Sequence, residues 1–191
     1  MRRFAGLLAT IDAVLFPLAI IQAFQSKGDN SFQTVVVPSI FFATINIIIL
    51  FQFLQLLKER KARVKVKFIM FTLMGTHFLS ALLTVISIFM VNNQILFHIN
   101  TLKFFCTEVY IFTYLYLMFK MIILNKMGDN LYGYSYWYIT STIINCLCFS
   151  QITLMFFPPN IQQFLFGFGL FLGCISSFTM GLILLKSSQE V

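Results

Sequence analysis

Between Lys58 and Lys67 the chain reads Lys-Glu-Arg-Lys-Ala-Arg-Val-Lys-Val-Lys, which places six of its thirteen basic residues against a single acid, Glu59. Long apolar runs flank this block on both sides. A cluster of positive charge is too costly to bury in hydrocarbon, so the block stays on one face of a bilayer. It thereby pins the adjoining ends of both neighbouring runs to that face. The remaining topology is read outward from this point.

Only 10% of the residues are charged, against about 25% in a typical soluble domain. The mean hydropathy is +0.89. Apolar runs recur near the roughly 20 residues that a helix needs to cross a bilayer. The expectation is one all-α domain over residues 1–191, a polytopic bundle of six transmembrane helices with short loops. The spans are expected at about 4–24, 35–57, 68–91, 104–124, 136–157 and 164–185. The loops between them are Ser26–Ser31, the basic block, Asn92–Lys103 with His98, Asn125–Ser135, and the turn Pro158-Pro159-Asn160.

With the basic block cytoplasmic, Arg2, Arg3, its six basic residues, Lys120, Lys126 and Lys186 fall on the inner side. Lys27 and Lys103 fall on the outer side, so eleven basic residues face two. This asymmetry follows the positive-inside rule and puts both termini in the cytoplasm. It also accounts for the net charge of +7 without a nucleic-acid partner, and none is expected. Arg2 and Arg3 followed by an apolar run resemble a signal peptide. Asp12 interrupts that run, and Ile21-Gln-Ala23 makes a poor cleavage site, so span one is expected to remain as a helix.

Small residues recur every four positions: Ala5, Ala9 and Ala13 in span one, Thr72, Thr76, Ser80 and Thr84 in span three, and Gly169, Gly173, Ser177 and Gly181 in span six. Lipid supplies no hydrophobic drive for helices to associate, so such ridges mark places where backbones come close. The contact is expected within the chain, or, for the glycine-rich ridge, with another subunit. Span four, crowded with Tyr110, Phe112, Tyr114, Tyr116 and Phe119, is expected at the periphery.

Polar groups inside spans are the candidates for function, because burying them in hydrocarbon is costly. Asp12, Asn46, His77 and Asn145 lie near mid-span, and Glu108 about one turn inside the outer end of span four. They fit a structural polar network, a translocation path with Asp12 and His77 binding an ion or relaying a proton, or a catalytic site. No Gly-x-Ser-x-Gly, His-Glu-x-x-His or Asp-x-x-Asp pattern supports the third, a lipid-modifying enzyme. Two histidines, one of them in an expected loop, are too few for a metal centre. Cys106, Cys146, Cys148 and Cys174 all fall in spans and read as packing residues, and no cofactor is expected.

The basic residues Lys58, Arg60, Lys61, Arg63, Lys65 and Lys67 orient the chain, with binding of anionic headgroups as a second role. The leading expectation for function is a non-enzymatic subunit or assembly partner in a membrane complex, acting through helix–helix packing with other subunits or with itself. The alternative is a small transporter or channel built around Asp12, His77 and Asn145.

Overall fold

A computed structural model describes residues 1–25, 37–60, 66–90, 93–126 and 133–189. Among these residues the chain is all-helical, with seven helices. They are α1 (Arg2–Gln25), α2 (Val37–Glu59), α3 (Val66–Phe89), α4 (Asn93–Lys126), α5 (Tyr134–Phe149), α6 (Gln151–Leu154) and α7 (Pro159–Ser187). Stretches of α2, α3 and α4 and the whole of α7 are long and apolar enough to cross a membrane. By length and composition these four helices mark a membrane protein. α1 has the length but carries Arg2, Arg3 and Asp12. α5 has 16 residues, about 24 Å of helix at 1.5 Å per residue.

Each long helix packs on the next in the chain, and α7 closes on both α5 and α1. The six long helices therefore form a ring. Arg2 at the start of α1 is ion-paired with Glu59 at the end of α2, so those two termini share one end of the ring, here called the basic end. Toward that end the axis is filled. Phe53, Leu54, Ile69, Leu73, Leu117, Met118, Ile183 and Leu184 are all fully or almost fully buried in one apolar cluster. Tyr138 is buried among them and meets Phe53 edge to face at 5.2 Å.

α1 and α7 approach closely. A Cβ on Gly181 would fall 2.9 Å from the Gly6 carbonyl oxygen and 2.6 Å from Thr10 Oγ1. Only hydrogen at both positions lets the two backbones touch. Gly169 faces a different neighbour, since a Cβ there would lie 2.9 Å from Cys148 Cβ on α5. A four-residue repeat advances 400°, so twelve residues turn the ridge by about 120°. The α7 ridge therefore meets α5 at Gly169 and α1 at Gly181. The hydroxyls of Thr72, Thr76 and Thr84 on α3 donate to carbonyls of their own helix at 2.7–2.9 Å.

Three sequence-based boundaries need correction. The expected outer loop at Asn92–Lys103 is helical from Asn93 onward, making α4 34 residues long, about 51 Å. Its polar residues read as a loop, but Asn93–Lys126 holds no Gly or Pro, and Ile99 packs with Leu83 and Cys106. His98 is exposed on this helix. Span five is not continuous to Phe157: α5 stops at Phe149, and α6 follows after Ser150, whose ψ is 118°. The helix at the expected sixth span, α7, is longer than 164–185, because Pro158 and Pro159 open it at its N-cap and first position, where a missing N–H costs least.

Candidate functional site

Beyond the buried cluster the axis of the ring is not filled. A cavity of about 550 Å³ lies there, with wall residues from all six long helices. α1 contributes Asp12, Phe16 and Ala19, and α2 contributes Phe42, Ala43 and Asn46. His77, Ser80 and Thr84 come from α3, and Thr107, Tyr110 and Tyr114 from α4. Thr142, Asn145 and Cys146 come from α5, and Gly173, Ser176 and Ser177 from α7. Asp12, Asn46, His77 and Asn145, read from the sequence as mid-span polar residues, thus line one space.

Asp12 is only 3% exposed. Its Oδ2 accepts a long hydrogen bond from Ser177 Oγ at 3.4 Å. Its Oδ1 is buried with no hydrogen-bond partner among the described residues. Pro17, five residues on in the same helix, has no N–H, so the Ala13 carbonyl lacks its usual helical donor. The backbone beside Asp12 is thus less saturated than a regular helix.

The α5–α7 side of the wall is hydrogen-bonded across the helices. Asn145 Nδ2 donates to the Gly169 carbonyl at 2.6 Å, and the Thr142 and Ser176 hydroxyls lie 2.6 Å apart. Gly173 leaves room for Asn145, since a Cβ there would lie 3.1 Å from its Nδ2. On α2, Asn46 Nδ2 donates to the Phe42 carbonyl at 3.0 Å within its own helix. Aromatic rings make up much of the remaining wall. Phe16 and Phe42 meet edge to face at 5.2 Å. His77 lies 5.5 Å from Tyr110, which lies 5.1 Å from Tyr114.

Among the described residues no hydrogen bond or ion pair joins His77 to Asp12 or to Cys146, and no hydroxyl is paired with His77. Three or more His, Cys, Asp or Glu residues nowhere converge as metal ligands among them. The wall has the makeup of a binding site, with apolar and aromatic surface and a few placed polar groups.

Glu108 stands apart from this set. It is 5% exposed and sits at the break between α5 and α6. Its Oε1 accepts from the N–H groups of Gln151 at 2.7 Å and Ile152 at 3.3 Å, and its Oε2 from Ser150 Oγ at 3.1 Å. These are the backbone donors that the start of a helix leaves without partners. Ser150 Oγ also accepts from the Thr153 N–H at 3.3 Å. The break thus has a local cause: a serine cap and a carboxylate from α4 compensate the hydrogen bonds that a continuous span would have made.

Ala5, Ala9 and Ala13 are buried, while Ser80 and Thr84 belong to the cavity wall. On α4, Phe112 and Phe119 are exposed at 59% and 58%, and Tyr110 and Tyr114 turn to the cavity. Of the basic block, Lys58 and Lys67 are exposed and Arg60 is half-buried. Lys61, Arg63 and Lys65 lie outside the described residues. Lys120 and Lys186 reach tyrosine rings, Tyr116 at 5.3 Å and Tyr134 at 5.5 Å.

Sequence reasoning passed over Tyr110, Tyr114 and Ser176 as site residues. Thr107, Tyr110, Ile111 and Tyr114 follow the i, i+3, i+4, i+7 spacing of one helical face, and that spacing was the available signal. Glu108 lies about 100° round the helix from Thr107, which separates it from the same face. The chain matches no protein-family model, no curated protein and no solved structure.

Proposed function

We propose that this chain is a multi-pass membrane protein that binds a small amphipathic molecule in the cavity at the axis of its helix ring, as a carrier or receptor for that molecule. Six crossings are proposed, made by α1, α2, α3, α4, α5 with α6, and α7. Both termini then lie on the cytoplasmic side, where eleven of the thirteen basic residues fall.

The observation that carries the reading is the convergence of Asp12, Asn46, His77 and Asn145, from four helices, on one cavity of about 550 Å³. Volumes of about 300–1,000 Å³ are usual for sites that take drug-sized ligands. A network serving only stability would be expected to pair its members with one another, yet Asp12 Oδ1 has no partner among the described residues. The packed cluster at the basic end argues for a site closed toward that end rather than an open channel.

The reading as a subunit or assembly partner stands second. The glycines that would have offered a docking ridge meet Gly6 and Thr10 on α1 or Cys148 on α5, so they are engaged within the chain. Binding of anionic headgroups by Lys58, Arg60 and Lys67, with Lys61, Arg63 and Lys65, remains compatible with either reading.

Thiol accessibility tests the cavity. The four native cysteines are replaced by alanine, and Thr84→Cys or Ser176→Cys is introduced singly. A membrane-impermeant thiol reagent, applied to oriented vesicles, is expected to label both from the side opposite the basic end. Absence of labelling at both positions from either side would sink the reading.

A further inference from the structure

We propose that the molecule held in the cavity is an apolar amine, bound as its ammonium with Asp12 as counter-ion. This rests on the cavity reading above and adds the charge and class of the ligand.

The argument begins with the carboxyl group. A carboxylate taken out of water needs donors or a positive partner to offset its desolvation, or else takes up a proton. Asp12 is 3% exposed and has one long bond, at 3.4 Å from Ser177 Oγ, to Oδ2 alone. Oδ1 has no partner among the described residues and belongs to a residue of the cavity wall. Glu108, buried in the same bundle, accepts from two backbone N–H groups and a hydroxyl. The contrast is informative. One acid is saturated by the fold, and the other, in the wall of a space large enough for a ligand, keeps a buried acceptor with no partner among the described residues.

The rest of the wall defines what can supply the missing donor. Among the described residues no lysine or arginine lines the cavity and its one basic side chain is His77, so an anionic ligand lacks a permanent positive charge there and meets Asp12 instead. Phe16, Phe42, Tyr110, Tyr114 and Phe149 line it, and aromatic faces attract ammonium groups while covering an apolar body. A bare metal ion fits poorly, because about 550 Å³ far exceeds the space enclosed by the oxygen ligands about 2.0–2.6 Å from such an ion. An ammonium group held in this space supplies the donor that the Asp12 carboxylate lacks, beside the hydroxyls of Ser176, Ser177 and Thr142 in the same wall. The amine can enter from water or from the bilayer, and the chemistry at Asp12 is the same in both cases.

The experiment uses the full chain in phosphatidylcholine nanodiscs, with empty nanodiscs correcting for partition. Binding of 1-naphthylmethylamine is compared with that of its neutral counterpart, 1-naphthylmethanol. The amine is expected to bind about tenfold tighter or more, the scale of a hydrogen bond to a charged group. Asp12→Asn, which keeps the shape, is expected to erase the difference, and Ala81→Trp, which fills the cavity, to weaken both probes.

Equal affinities that Ala81→Trp still weakens would overturn the amine class while leaving the cavity as a binding site. No binding of either probe, or of sphingosine, would overturn the amine proposal along with the cavity reading. Should Asp12→Asn fail to fold, the amine–alcohol comparison in the unaltered chain decides alone. Competition by sphingosine assigns the amine to the bilayer and its absence to water, and either result, alongside tighter amine binding, supports the proposal.

Discussion

At the scale of single residues, most of the specificity in this bundle lies where a side chain is missing or unusually placed. Gly181 and Gly75 make the point together. A Cβ at Gly181 would meet the Gly6 carbonyl at 2.9 Å, whereas at Gly75 it would meet nothing within 4 Å. Gly181→Ala is therefore expected to lower stability by about 1–3 kcal/mol through overpacking. Gly75→Ala is expected to be neutral or to stabilise by up to about 1 kcal/mol through helix propensity. Thermal unfolding in detergent separates the two; equal shifts would mean that α1 and α7 do not touch at Gly181. The sequence marked Gly181 by its four-residue spacing, but not its partner. Gly6 and Thr10 lie off the expected Ala5–Ala9–Ala13 ridge, and only the rotation of α1 against α7 selects them.

At the scale of elements, the break between α5 and α6 shows how a polar residue in an apolar span can be structural rather than functional. Glu108 compensates the donors released at Ser150. Glu108→Ala would leave the Gln151 N–H without its acceptor, at a cost of about 1–3 kcal/mol. Glu108→Gln keeps one acceptor and is expected to cost less. Hydrogen exchange at Gln151 and Ile152 reads the effect directly, and unchanged protection in Glu108→Ala would remove Glu108 from this role. A second cross-helix link, Thr142 to Ser176 at 2.6 Å, is expected to show a coupling of about 0.6 kcal/mol in a double-mutant cycle of Thr142→Val and Ser176→Ala, typical of hydrogen bonds between membrane helices. Additive losses would mean that the two hydroxyls do not interact. Neither link was legible from hydropathy, which treats a capped break and an unbroken span alike.

At the scale of the whole molecule, the ring separates two tasks along its axis. The basic end is packed, and the cavity occupies the axis beyond it. The Arg2–Glu59 pair belongs to the packed end, but Glu59 is 56% exposed, so breaking it with Arg2→Ala is expected to cost no more than about 1 kcal/mol. On the proposed topology the basic residues matter more for orientation. Neutralising Lys58, Arg60, Lys61, Arg63, Lys65 and Lys67 together is expected to give a mixed population of topologies. That is read by labelling of a cysteine placed at Gln189 from both sides of the membrane. A single unchanged orientation would show that the other basic residues suffice.

The amino-acid sequence by itself determined the helical character of the chain and the approximate position of its apolar segments, within which Asp12 and His77 fall. Those properties are set locally, by hydrophobic length against bilayer thickness and by charge that cannot enter hydrocarbon. Three things were decided only in the tertiary structure: the closure of α7 onto α1, the separation of Glu108 from the other polar residues, and the space left on the axis. Each depends on how segments far apart in the chain rotate and pack against one another. A cavity is a property of the gap between side chains on different helices, and no single segment encodes it.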